Sequence, residues 1–170
     1  MAAVDPIGYA QLCKLFPALT AKQVTNSCFY SLGANYSEAA SLQNLKATAV
    51  RRSLELTQKN LGASAMPGIR NIFWCVFIVR QIINKYRLHD AQTADAFMCL
   101  ESIFTELNAS EIACAVLTAG GYTIGHIGKI LHAPDEAIYQ LIDRCIVKLN
   151  VESAFFLKLL IVSRLMVDLS

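Results

Sequence analysis

Residues 19–62 read LTAKQVTNSCFYSLGANYSEAASLQNLKATAVRRSLELTQKNLG, and residues 107–150 read LNASEIACAVLTAGGYTIGHIGKILHAPDEAIYQLIDRCIVKLN. The two stretches align without a gap at a spacing of 88 residues, apolar residue on apolar residue. The alignment extends outward in both directions, from Leu12 on Leu100 to Val79 on Val167. Few residues are identical, but a gapless register that preserves apolar positions indicates an old duplication. The repeat predicts that the two halves of the chain share one fold.

The composition favours a folded chain with more apolar residues than its own core requires. Hydrophobic residues make up 55% of the sequence and charged residues only 16%. This surplus predicts an apolar surface that meets a partner, either a second copy in a homodimer or another protein. The formal net charge of +2 is too small to indicate nucleic-acid binding by the chain as a whole, so a basic surface has to be local.

Apolar spacings of three and four residues predict an all-α fold. One helix of each half is expected to begin after a capping box, at Thr20 to Gln23 and at Asn108 to Glu111, and to end at a glycine. The other expected helices form pairs: about 7–16 and 93–105, 37–45 and 124–132, 48–61 and 135–149, and 69–86 and 154–169. We place the boundary within residues 87–92, which gives an N-terminal module 1–86 and a C-terminal module 87–170.

No segment predicts secretion or a membrane span. Residues 1–12 lack the basic start and apolar run of a signal peptide. Arg70 and Arg80 flank the apolar segment 72–79, and charged side chains interrupt 154–169, whereas a span needs about 20 apolar residues. We therefore expect both segments to be buried helices of a cytoplasmic protein.

The six cysteines are expected to be reduced core residues, because they lie mostly on apolar faces and form no CxxC pair. A zinc site of Cys114, His126 and His132 is the alternative, although structural zinc sites use more closely spaced ligands. The sequence contains no phosphate-binding glycine loop, no HExxH and no nucleophile elbow. We expect no catalytic activity, no cofactor and no metal.

Residues at matching places in both halves carry a resemblance to a known family. In the first half they are Leu19-Thr20, Gly33, Glu38-Ala39-Ala40, Val50 and Asn60-Leu61-Gly62. In the second half they are Leu107, Glu111, Gly121, Ile127, Leu131, Ile138 and Lys148-Leu149-Asn150-Val151. In this spacing they resemble the LuxR/GerE-type helix-turn-helix domain of NarL- and FixJ-like bacterial regulators. The resemblance implies a tandem pair of diverged helix-turn-helix modules.

That family inserts its third helix into the major groove of DNA, so the resemblance implies a DNA-contacting helix in the first module. Cationic or hydroxyl side chains are available around this helix: Lys46, Thr48, Arg51, Arg52, Thr57 and Lys59. Arg51 and Arg52 stand where the family has base- and phosphate-contacting residues. The alternative is that these side chains form an ordinary solvated face.

The corresponding helix of the second module departs from this pattern. It begins Pro134-Asp135-Glu136 and continues with Asp143, and its cations, Arg144 and Lys148, come only toward the end. Carboxylates are repelled by phosphates at close range, so we expect this module not to bind DNA alone. It is left to pack against the first module, to form a dimer or to hold another protein, and its acidic helix is suited to a basic partner.

The leading hypothesis is a bacterial transcription regulator whose first module binds DNA and whose second module supplies dimerisation or partner binding. The alternative is a protein-interaction module, an antagonist or adaptor of another regulator or assembly, that never contacts DNA. Apolar residues of the final helices are the candidates for an inter-module or dimer interface: Ile72, Phe73, Val76, Phe77, Leu157, Leu160, Ile161 and Leu165. The alternative for these residues is ordinary module core.

Overall fold

The computed structural model of the protein describes residues 6–168. Within these residues the chain consists of helices, turns and loops without a strand, which confirms the predicted all-α fold. The α-helices are α1 Pro6–Leu15, α2 Ala21–Ser31, α3 Tyr36–Ser41, α4 Ala47–Leu61, α5 Met66–Lys85, α6 Ala109–Ala119, α7 Ile124–Leu131, α8 Asp135–Lys148 and α9 Ala154–Asp168. Two 3-10 helices, Leu88–Asp90 and Ala94–Leu100, lie between α5 and α6.

The helices of the second half begin at the spacing found in the sequence. Helices α6, α7, α8 and α9 each start 88 residues after α2, α3, α4 and α5, and the second 3-10 helix starts 88 residues after α1. Left-handed backbone conformations recur at the same spacing, at Gly33 and Gly121 and at Asn44 and His132. The similarity therefore includes the points at which the chain changes direction.

One predicted helix is wrong. The segment expected as a helix over 93–105 forms only the 3-10 helix Ala94–Leu100, followed by turns. Side chains three residues apart align on one face of a 3-10 helix. Phe97 and Leu100 are three residues apart and are both fully buried, and Ile103 packs against the same core. The 3-10 winding thus places Phe97 and Leu100 together on the side that faces the interior.

Both predicted capping boxes are present. The Thr20 amide donates to Gln23 Oε1 at 2.8 Å, and the Gln23 amide donates to the Thr20 hydroxyl oxygen at 3.3 Å. In the second half, the Asn108 and Glu111 amides donate to each other's side chains at 2.9 and 3.0 Å. A third box, Asn35 with Glu38, begins α3 and was not anticipated.

The chain forms two compact units, Met1–Trp74 and Cys75–Ser170, so the division lies inside α5. The sequence instead suggested a boundary after α5, between residues 86 and 87. The difference has a packing cause. The C-terminal half of α5 carries Cys75, Val79 and Ile83 into the core of the second unit.

Each unit has its own core. In the first unit, α3, α4 and the start of α5 contribute buried side chains, among them Ala39, Val50, Leu54 and Ile69. In the second unit the buried set is larger, and helix α6 lies at its centre with eight of its eleven residues buried.

The eight interface candidates do not form an exposed surface. Seven are buried or partly buried: Ile72, Phe73, Val76, Leu157, Leu160, Ile161 and Leu165. Phe73 stacks on Phe16 in the first unit with 5.0 Å between ring centroids, while Leu157, Ile161 and Leu165 belong to the core of the second unit. Only Phe77, with 36% of its surface exposed, is accessible. Ordinary module core therefore describes Leu157, Ile161 and Leu165, and an inter-module or dimer interface formed by the set stays a prediction.

Among the described residues, α5 is the one helix long and apolar enough to cross a membrane, by length and composition alone. Buried core helices of soluble proteins pass the same test. Its two arginines are bound to protein groups within their own units. Arg70 Nε donates to the Tyr30 carbonyl oxygen at 2.9 Å, and Arg80 Nε donates to that of Gly120 at 2.7 Å. Each guanidinium therefore donates a hydrogen bond to a carbonyl oxygen at the C-terminal end of another helix, where a cation is favourable.

Candidate nucleic-acid interface

A tight turn sets the direction of α4 in the first unit. Helix α3 ends at Ser41, and the Leu45 amide donates back to the Ala40 carbonyl oxygen at 2.9 Å. Asn44 is left-handed, with φ of 54°, a conformation that asparagine adopts more readily than most residues. The chain then enters α4 at Lys46, so a tight turn joins α3 to α4.

The buried side of α4 is defined by Val50, Leu54 and Thr57. Thr57 was expected among the outward residues, and that expectation is wrong. It lies seven residues after Val50 and three after Leu54, so it falls on the same side of the helix. Its side chain is fully buried, and its hydroxyl donates to the Ser53 carbonyl oxygen at 3.0 Å.

The other five predicted contact residues, Lys46, Thr48, Arg51, Arg52 and Lys59, are all exposed. Thr48, Arg52 and Lys59 lie opposite the buried side at 100° per residue. We use the term α4 face for the exposed surface formed by Lys46, Thr48, Arg52, Leu56 and Lys59. Its apolar member, Leu56, has half of its surface exposed.

Arg51 differs from the other cations because it already has a partner. Its Nε lies 3.0 Å from Glu55 Oε1, four residues along the same helix, and both side chains are largely solvated. Lys46, Arg52 and Lys59 form no ion pair with any residue of the described range 6–168. The unneutralised charge of the α4 face therefore comes from these three side chains.

Arg52 stands between two open depressions. The larger, with a volume of about 750 Å³, runs along the start of α4 past Lys46 and Thr48. The smaller, about 400 Å³, lies between Arg52 and Lys59 and is also lined by Glu55, whose carboxylate pairs with Arg51. Both depressions leave the cationic groups accessible from solvent, as contact with the phosphates of an extended polyanion requires.

Helix α8, the counterpart of α4, has the opposite character. We use the term α8 face for the exposed surface formed by Glu136, Tyr139, Asp143 and Val147, of which Tyr139 is 53% and Val147 77% exposed. Lys148, one of the two cations toward the end of α8, is paired with a residue of another helix: its Nζ lies 2.7 Å from Oε2 of the buried Glu111.

The Lys148–Glu111 pair was not anticipated from the sequence. Burial raises the pKa of Glu111, but hydrogen bonds from Lys148 and from the Asn108 amide outweigh burial and lower that pKa overall. Glu111 thereby stays ionised while capping α6 at Asn108. The spacing Asn108-x-x-Glu111 predicted the cap, but no local signal linked Glu111 to Lys148.

No group of three or more His, Cys, Asp or Glu side chains in the described range is arranged to hold a metal ion. Of the residues in the zinc alternative, Cys114 is fully buried, and its burial raises the pKa of the thiol to about 11. His126 and His132 are both exposed. The side chains of the zinc alternative are therefore not gathered into one site.

Comparison with known protein families, with curated proteins and with solved structures found no match. The functional interpretation therefore depends on the geometry of α4 and α8.

Proposed function

We propose that this chain is a cytoplasmic bacterial transcription regulator that binds DNA through its first unit, while its second unit supplies dimerisation or partner binding. The observation that carries the proposal is the α4 face. Two exposed, unneutralised cations, Arg52 and Lys59, lie on the outward side of a helix that follows a tight turn, and a third, Lys46, lies at its N-cap; helix-turn-helix proteins approach DNA with this geometry.

The dimensions of α4 suit the major groove. Its 15 residues make a rod about 22 Å long. In our proposal Arg52, near the middle, reaches base edges or a phosphate, and Lys46 and Lys59, near the ends, hold the flanking phosphates. Arg51 contributes less, because Glu55 offsets its charge.

We further propose that the two units are diverged LuxR-like modules produced by duplication. The recurrence of helix starts and of left-handed turn residues at one spacing supports a common origin. In this interpretation only the first copy kept a DNA-binding surface. Carboxylates near the start of α8 and the engagement of Lys148 by Glu111 leave the second copy without a comparable basic face.

The test is DNA binding by the Arg52→Ala/Lys59→Ala variant, measured by fluorescence anisotropy with fragments of bacterial genomic DNA over a range of salt concentrations. We expect wild-type affinity to fall steeply with salt, and the slope of log K against log salt to be smaller by about two for the variant. The matched control, Lys129→Ala/Arg144→Ala, removes two exposed cations from the second unit and is expected to bind as the wild type does. If the wild type shows no salt-dependent binding to DNA, the proposal is contradicted.

A second candidate function, a protein-interaction module that does not bind DNA, is favoured by one observation. Large apolar side chains, Leu56 on α4 and Tyr139 and Val147 on α8, stand exposed among charged residues. Such anchors are typical of protein interfaces. This function predicts a co-purifying protein that is lost from the Tyr139→Ala/Val147→Ser variant while the far-UV circular dichroism spectrum stays unchanged.

A further inference from the structure

The α8 face combines two exposed carboxylates with exposed apolar side chains. Glu136 and Asp143 are exposed and form no ion pair within residues 6–168. They lie seven residues apart, so two helical turns, or about 10.5 Å, separate them along one side of α8. Tyr139 lies between them and Val147 one turn beyond, both largely exposed.

The α4 face has the complementary pattern at the same interval. Arg52 and Lys59 are also seven residues apart, exposed and unpaired, and Leu56 lies between them. When two such helices lie antiparallel, a single register sets Arg52 opposite Asp143 and Lys59 opposite Glu136. Both charge pairs form together because the two intervals are equal.

We propose that the α8 face binds the α4 face of a second copy of this chain, with the two helices antiparallel. The charge complementarity of the two faces and their equal seven-residue interval indicate that the partner of the α8 face is a second copy of the chain. The antiparallel direction also places the N-terminal end of each helix beside the C-terminal end of the other, so helix dipole ends of opposite sign lie next to each other. Leu56, Tyr139 and Val147 supply apolar area beside the ion pairs.

Self-association of this kind has a regulatory consequence, which rests on the proposed DNA-binding function. The cations that would hold phosphates are the ones covered by the α8 face, so a chain cannot offer the same α4 face to DNA and to a second copy. The fraction of chains able to bind DNA then falls as the protein concentration rises.

The test uses sedimentation velocity without DNA, so that its result does not depend on DNA binding. We expect concentration-dependent association of the wild type that weakens as sodium chloride is raised. Variants Arg52→Glu/Lys59→Glu and Glu136→Lys/Asp143→Lys should each associate at least about tenfold more weakly, because like charges then face each other. A mixture of the two variants should recover association, since each supplies the face that the other lacks.

Two controls make the result specific. Glu101→Lys/Glu152→Lys changes the net charge by the same amount as Glu136→Lys/Asp143→Lys, but at exposed sites outside α8, and should leave association unchanged. For the register, the two substitutions are combined in one chain: Asp143→Lys should restore association to Arg52→Glu, because both charge pairs are then of opposite sign, whereas Glu136→Lys should not, because both pairs are then of like sign. A wild type that stays monomeric at several hundred micromolar, or association that survives both reversals, overturns the proposal and leaves the DNA-binding proposal standing.

Discussion

Replacing Lys148 with methionine is expected to destabilise the second unit and to change its response to acid. The Lys148 ammonium lies 2.7 Å from a carboxylate whose side chain is only 1% exposed. Removing one partner of a buried ion pair costs about 3–5 kcal/mol. The side chain of Lys148 is 42% exposed and Glu111 keeps the hydrogen bond from the Asn108 amide, so we expect about 2 kcal/mol, roughly a 30-fold shift in the unfolding equilibrium.

The acid response follows from the pKa of Glu111. In the wild type the folded-state pKa of Glu111 lies below the ordinary glutamate value of 4.5, so the contribution of this carboxylate to stability is present above pH 4.5 and is lost as the pH falls. In Lys148→Met, burial acts without the lysine and raises the pKa, so protonation relieves the unpaired charge. The difference in stability between variant and wild type should therefore shrink on acidification.

Urea unfolding followed by circular dichroism gives the free energy of unfolding, and hydrogen exchange of the α6 and α8 amides locates the change in the second unit. The control is Glu111→Gln/Lys148→Asn, which installs the residue types found at the aligned positions Gln23 and Asn60 of the first unit. Glutamine preserves the capping box and leaves no unpaired charge, so most of the loss should be recovered. A cost below about 0.5 kcal/mol for Lys148→Met, with no change in pH dependence, would refute the reasoning, since it would make the pair equivalent to a surface one.

Three further predictions concern packing and charge. Asn26 is fully buried and its Nδ2 has no partner in the described range, whereas its Oδ1 accepts a hydrogen bond from Gln43 Nε2 at 2.7 Å. Gln43 is only partly buried and also donates to the Ala39 carbonyl oxygen, so losing this bond should cost less than the unsatisfied Nδ2 does; Asn26→Cys, which installs the residue type found at the aligned position of the second unit, should stabilise the first unit by up to about 1 kcal/mol in urea unfolding, and a loss of stability would contradict this. A Cβ added at Gly128 would lie 2.7 Å from a backbone carbonyl oxygen, whereas a Cβ added at Gly125 would meet nothing within 4 Å. Gly128→Ala should therefore lower the free energy of unfolding by about 1–3 kcal/mol, and Gly125→Ala, the control, should not lower it. The Arg164 guanidinium lowers the pKa of Glu106 to about 2, so the wild type should lose stability as the pH falls from 4.5 to 2, and Glu106→Gln should not show this loss. If the free energy of unfolding of the two proteins falls equally over this range, the pair is not the cause.

Much of the candidate site was predictable from the sequence, because the exposure of a helical side chain follows from its angle relative to the buried residues. Arg52 and Lys59 lie far from the direction of Val50 and Leu54, so their exposure follows from the apolar pattern alone. The same geometry places Thr57 inside, although its hydroxyl suggested an outward position. On this helix, the position of a residue around the helix axis predicts its exposure better than the polarity of its side chain does.

The amino-acid sequence by itself determined where most helices begin and how the chain turns between them. A cap such as Thr20 with Gln23 acts within a single turn of helix, and a left-handed stop needs only a residue that tolerates positive φ, so both signals are local. Only the tertiary structure decided that Lys148 forms an ion pair with Glu111, 37 residues away, and that the C-terminal half of α5 belongs to the second unit. Those outcomes depend on which apolar surfaces pack together, because packing brings distant side chains into contact and excludes the water that would otherwise solvate their charges.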